Sequence, residues 1–283
     1  MPLVSGASVP ARTALLRHRI LVALIGIPLG VAVIIYGRWA FMVFAALVSL
    51  VALHEFYTMI RPYRPNLLVG YVAAAGLIAG SYFAGFVGMV GAMAAAMVLM
   101  VAWAMGGTHG DHLTARISVT VFGVIWIALG LAYLVLLREL DHGMALVLLV
   151  VGCTWLNDTF AYTLGKLVGR HRLAPRISPK KTVEGAVGGL LGSVVFGVGV
   201  KIYSPWLPWR EAIILGLVVG VAGQFGDLLE SAVKRDLRVK DSGRLLPGHG
   251  GVLDRFDSLV LAAMAMYWST LLLLRDVVGG FPL

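Results

Sequence analysis

Residues 227–257 hold six carboxylates and six Lys or Arg in a chain otherwise poor in charge. Asp227 and Glu230 lie three apart near the end of one apolar run, so they are neighbours on a helix surface. Asp254 and Asp257 repeat that spacing where the next apolar run begins. Between the pairs come Ser231, Lys234-Arg235, Lys240-Asp241 and the turn Pro247-Gly248-His249-Gly250-Gly251. Basic groups suit phosphates, and carboxylates among them suit a divalent cation that phosphates also bind. Two helix ends meeting at one face can each offer one carboxylate to such an ion. Successive glycines let backbone N–H groups converge on an anion. His249 suits either a hydrogen bond to phosphate or a stabilising contact within the turn. An acidic side chain at a helix N-terminus is also favoured by the dipole, and Asp257 is the expected cap of its pair.

A second cluster, Ser178-Pro179-Lys180-Lys181-Thr182-Val183-Glu184-Gly185, opens another apolar run. Hydroxyl and ammonium donors beside a helix N-terminus make a phosphate site. The alternative is a topogenic basic loop with a capping box built from Thr182 and Glu184. Upstream, Asn157-Asp158 with Ala161-Tyr162 and Gly165 closes the preceding run, and Asp158 is a candidate for a further cation or sugar contact.

These residues need elements to position them. The chain has 283 residues, 59% hydrophobic and 13% charged, with mean hydropathy +0.90. Soluble domains carry about 25% charged residues, so the expected class is an all-α polytopic membrane protein. Nine apolar runs are long enough to span: 20–36, 39–60, 67–85, 86–105, 117–137, 144–165, 184–203, 212–230 and 256–274. Closely abutting runs are alternatively re-entrant hairpins. A cytoplasmic N-terminus puts 18 of the Lys and Arg on the inner face and 5 on the outer, in accord with the positive-inside rule. Both basic loops, 166–183 and 231–255, then face the cytoplasm, where nucleotides are. The net charge of +9 is thereby assigned to a bilayer and a soluble nucleotide, not to nucleic acid. The first run reads as a retained helix of a cell-membrane protein rather than a signal peptide. Cys153 has no internal partner, so redox compartment is not legible from it.

Two regions differ in character. Residues 1–143 are plain spans, a scaffold available for lipid contacts or a homodimer. His54 and Glu55 are placed at the cytoplasmic end of the second span in a structural role, and His109, Asp111 and His112 read as solvated. Residues 144–283 carry the clusters above and form the expected catalytic region. Gly185, Gly188, Gly189, Gly192, Gly197 and Gly199 in the seventh run imply close helix approach.

Taken in order, Ser231-x-x-Lys234-Arg235, Lys240-Asp241, Pro247 to Gly251 and Asp254-Arg255-Phe256-Asp257 resemble the signature of the phosphatidate cytidylyltransferases, or CDP-diacylglycerol synthases. The Ser178 to Gly185 string and the Asn157-Asp158 segment are similar to that family's pattern too. The resemblance implies transfer of a cytidylyl group from CTP to phosphatidic acid, giving CDP-diacylglycerol and pyrophosphate in phospholipid biosynthesis. It implies Mg²⁺ between Asp227 and Asp254, a second, monovalent cation nearby, and a catalytic set of Asp227, Asp254 and Lys234. Phosphate, CTP and headgroup contacts would then fall to Ser178, Lys180, Lys181, Thr182, Ser231, Arg235, Lys240, Asp241, His249, Gly250, Gly251, Arg255 and Asp257. A CTP-dependent polyprenol or phytol kinase shares part of this architecture, and an isoprenoid-ether lipid could replace the diacyl one. A secondary transporter would show repeat symmetry and midplane charges, whereas here the halves differ and the charges gather at one face.

Overall fold

In a bilayer the backbone has no water to bond, so long uncharged runs fold as helices that satisfy themselves. The computed structural model describes residues 12–106, 112–243, 245 and 250–278, with side chains from residue 24 onward. Besides a 3-10 turn at Arg61–Tyr63, it contains eight long helices among the described residues. These are α1 (Arg12–Tyr36), α2 (Arg38–Met59), α3 (Leu67–Met105), α4 (Leu113–Glu139), α5 (Gly143–Leu167), α6 (Val183–Tyr203), α7 (Trp209–Asp236) and α8 (Leu253–Leu273). A two-stranded hairpin, β1 (Arg172–Ala174) and β2 (Ser178–Thr182), links α5 to α6.

Seven helices, α2 to α8, are individually long and apolar enough to cross a membrane, against nine runs expected. In α1 the described apolar stretch is only Leu24–Tyr36. The runs 67–85 and 86–105 are merged in α3, which is not straight. Ala84 (φ −137°, ψ 19°) and Gly85 (φ 60°, ψ −145°) leave the helical conformation. Gly80 abuts Gly88 and Gly76 faces Ala92, so the chain doubles back as two antiparallel arms. Each arm has roughly 17–20 residues, about 26–30 Å at 1.5 Å per residue, close to the hydrocarbon thickness of a bilayer.

The basic loop 166–183 contains the hairpin, which the sequence did not signal. Two prolines and four charges between Arg172 and Thr182 carry no strand propensity. The pairing is held instead by Arg172 opposite Thr182 and Ala174 opposite Ser178. Helix α4, interrupted by a π-helical turn at Val124–Ala128, is the central element; Leu131, Ala132, Val135 and Leu137 are almost wholly buried.

Helices α5 to α8 pack in series, and small residues set their spacing. A Cβ on Gly185, Gly188, Gly189 or Gly192 would meet Ala161, Leu164, Asn157 or Leu156 of α5, and one on Gly197 would meet Ala212 of α7. Gly199 faces open space, so the close approach expected of the seventh run holds at five of its six glycines. Where the backbones come closest, Asn157 joins three helices. Its Nδ2 donates to Ser193 Oγ and Gly220 O, both at 3.1 Å, and its Oδ1 accepts from Gln224 Nε2 at 3.2 Å. Asn157 therefore anchors the frame on which its neighbour Asp158 is mounted.

Candidate active site

Helix α7 continues as far as Asp236, so Asp227, Glu230, Ser231 and Lys234 lie along one face at i, i+3, i+4 and i+7. Helix α8 starts beside them with Asp254, Arg255, Asp257 and Ser258. Asp158 comes from α5 and Asp241 from the segment joining α7 to α8. Asp158, Asp227, Glu230, Lys234, Asp241, Asp254, Arg255, Asp257 and Ser258 line one cavity of about 260 Å³. Lys181 reaches the same place from β2 and pairs with Asp227.

Each carboxylate has a distinct set of partners. Lys234 Nζ donates to Glu230 Oε2 and to Asp254 Oδ1, both at 2.7 Å. Asp254 also accepts from Ser242 N at 3.1 Å and Gly251 N at 2.7 Å. Asp227 accepts from Ser231 Oγ at 3.4 Å, and Asp257 Oδ1 accepts from Ser258 N at 2.6 Å. At the start of α8 Asp254 thus reaches back to Gly251 N, whereas Asp257, the expected cap, takes the N–H of Ser258. Asp257 sits one turn deeper, on the cavity wall.

Among the described residues no three His, Cys, Asp or Glu side chains form a ready-made metal cage. Mg²⁺ does not need one, because it is usually held by one or two carboxylates, phosphate oxygens and waters. The donor set fits such an ion. Six carboxylates face three cationic side chains, Lys181, Lys234 and Arg255. Glu230 is 1% exposed, its Oε1 is buried without a hydrogen-bond partner, and its carboxyl adjoins that of Asp257. Two adjacent carboxyls can share one proton or, when both are ionised, a cation that neutralises them.

Residues 17–273 match the cytidylyltransferase family. The chain belongs to that family. A phosphatidate cytidylyltransferase of Synechocystis sp. is 32% identical, with 91% of this chain and 97% of that relative covered. One from Staphylococcus saprophyticus is 33% identical over 87% of this chain and 95% of its own length. An uncharacterized protein of Escherichia coli K12, YnbB, is 34% identical over 86% and 83%. The chain is therefore a multi-span membrane enzyme of the cytidylyltransferase family.

Several residues singled out in the sequence lie beside the cavity rather than in its wall. Thr182 is buried, and its Oγ1 accepts from Gly185 N at 3.1 Å, capping α6. The other half of the expected capping box is diverted: Glu184 takes the backbone N–H groups of Arg170 and His171 and pairs with His171 Nδ1 at 2.6 Å. Ser178 and Lys180 belong to β2, with Lys180 exposed, and Lys240 is also exposed. Arg235 Nε donates to Ile177 O at 3.3 Å, tying α7 to the hairpin. Gly250 has φ 84°, a conformation glycine adopts without strain, and sits against Asp254. The Gly251 N–H, offered to an anion in the nest reading, is given to Asp254 instead. His249 lies outside the described residues, as do His109 and Asp111. Glu230, noted in the sequence but given no role, is part of the cavity wall, and so is Ser258. Glu55, assigned a structural role in the sequence, is buried and does not line the cavity.

Proposed function

We propose that this cytidylyltransferase-family enzyme joins CTP to phosphatidic acid, releasing pyrophosphate and leaving CDP-diacylglycerol in the membrane, with its cavity open to the cytoplasm. What carries the reading is one cavity at a helix end where six carboxylates and three cationic side chains meet. The family and the relatives named above support the choice of substrates.

A phosphate oxygen of the lipid attacks the α-phosphorus of CTP, a P–O bond forms there, and the bond to the β-phosphate breaks with pyrophosphate as leaving group. A phosphomonoester has its second pKa near ~6, so the nucleophile is already largely ionised and needs no strong base. The obstacle is repulsion between headgroup and triphosphate, about 4 kcal/mol per like-charge pair at 4 Å and an effective dielectric of 20. Lys181 from β2, Lys234 from α7 and Arg255 from α8 offset that repulsion. Asp227 and Asp254, one from each helix, would hold Mg²⁺, with a second, monovalent cation nearby. When bound, the divalent ion supplies charge neutralisation and polarisation of phosphoryl oxygens. Ser231 and Asp241 stand close enough to these groups to orient substrate oxygens.

The test uses the purified full-length chain in detergent with Mg²⁺, phosphatidic acid and CTP labelled at either the α- or the γ-phosphorus. The α-label should enter the organic phase and the γ-label should remain in water as pyrophosphate. Transfer of γ-label to a polyprenol or phytol would establish a kinase instead. A much higher rate with an isoprenoid-ether phosphatidate would move the substrate to that class.

A further inference from the structure

Glu55 belongs to α2, in the half of the chain that carries none of the signature residues, yet its carboxylate ends in the segment that delivers Asp241 and Asp254. The residue is 5% exposed. Its Oε1 accepts from Val252 N at 3.0 Å, and its Oε2 accepts from Leu253 N at 2.9 Å and Ser242 Oγ at 3.2 Å. The two backbone N–H groups sit at the start of α8, where helix geometry leaves donors without partners and an anion is favoured. Two glycines are shaped to the same carboxylate. A Cβ on Gly243 would run into Glu55, and one on Gly251 would run into Glu55 and Ser242 Oγ. Val252, Leu253, Ser242, Gly243 and Gly251 therefore all converge on one side chain almost two hundred positions away.

We propose that Glu55 is a positioning residue for the active site: it ties Ser242 to Val252 and Leu253 and so sets where Asp241 and Asp254 stand relative to α7. It does not line the cavity, so it acts through Asp254, whose own acceptors bind Ser242 N and Gly251 N in the same segment. Gly251 on this view is glycine because the Glu55 carboxylate needs the space. The inference deepens the function proposed above and rests on it for its kinetic arm alone.

The experiment compares the wild-type chain with Glu55→Gln, Glu55→Asp and Ser242→Ala, all full length in detergent. Initial rates, thermal midpoint and trypsin cleavage after Lys240 are recorded for each. Glu55→Gln keeps the shape but presents an N–H₂ to a donor, so kcat/KM should fall at least about 10-fold. Cleavage after Lys240 should accelerate several-fold while cleavage after Arg170 and Arg176 stays slow. Glu55→Asp, with the charge kept and the reach shortened, should fall between. Wild-type rates and cleavage in Glu55→Gln would overturn the proposal. So would a rate loss that only follows a lowered midpoint with faster cleavage at every loop. Should Glu55→Gln fail to fold, Ser242→Ala decides: it removes one of three partners, and unchanged rate and cleavage there would equally overturn the idea. The cleavage arm needs no substrate, so a wild-type chain inactive on phosphatidic acid would count against the proposed function and not against Glu55.

Discussion

Lys234 shows how much one ammonium can hold together in this site. With 15% of its side chain exposed, it bridges Glu230 and Asp254 at 2.7 Å each, joining the end of α7 to the start of α8. A compact point charge fits between two carboxylates where a planar guanidinium does not. Lys234→Arg should therefore lose at least about 10-fold in turnover with membrane insertion unchanged; near-normal turnover would reduce Lys234 to an interfacial anchor. Asp227 and Asp254 should separate in a second measurement. Each changed to Asn should lose about 100-fold or more in rate, the scale of a lost metal carboxylate. Mg²⁺ should raise the thermal midpoint of the wild-type chain and leave that of Asp227→Asn unmoved, because a ligand stabilises only the state that binds it. Asp254→Asn should in addition melt lower without Mg²⁺, since an amide cannot accept from Lys234, Ser242 N and Gly251 N at once. An Asp227→Asn chain with the full Mg²⁺ response would remove that carboxylate from the cation site.

Among the elements, α5, α6 and α7 form the frame on which the site is mounted, and glycine is what lets them close. Their contact leaves room for few side chains, and Asn157 occupies the centre with bonds to Ser193, Gly220 and Gln224. Interhelical hydrogen bonds in membranes average about 0.6 kcal/mol with a maximum near 1.7. Asn157→Ala should accordingly cost about 1–2 kcal/mol in a detergent unfolding titration, with activity falling only as the fold loosens. A loss of activity at unchanged stability would instead place Asn157 in substrate contact. The hairpin is coupled to this frame at Thr182, whose cap on α6 is worth about 1 kcal/mol. Thr182→Ala should lower stability by that amount and shift Lys181, so its rate loss should be reduced by conditions that stabilise the helix.

At the scale of the whole molecule, the structure gathers at one end of the bundle several parts that the chain separates widely. Arg116 Nε donates to Arg64 O, Arg235 to Ile177 O, Lys181 meets Asp227, and Glu55 meets Leu253. The loops counted as inner in the charge balance therefore do share an end, and the 18 to 5 split predicts that end to be cytoplasmic. Single cysteines at Arg176 and Lys240, both exposed, in a Cys153→Ala background, should react with a membrane-impermeant reagent only after the inner face is opened. A cysteine at Tyr203, 89% exposed and at the other end of α6, should react from outside; the reverse pattern would invert the topology. The helices were legible in the chain because a bilayer permits so little: apolar runs must be helices. Spacing alone likewise put Asp227 and Glu230 on one helical face. What it did not reveal depended on contacts between distant segments. The β1–β2 hairpin depends on pairing against poor local propensity, whereas the turn at Ala84–Gly85 falls where the runs 67–85 and 86–105 were divided. Asp254 rather than Asp257 meets the Gly251 N–H, and Glu55 serves a helix start 198 positions later. A carboxylate's partners are chosen by which donors the packing leaves unpaired, and only the tertiary structure decides that.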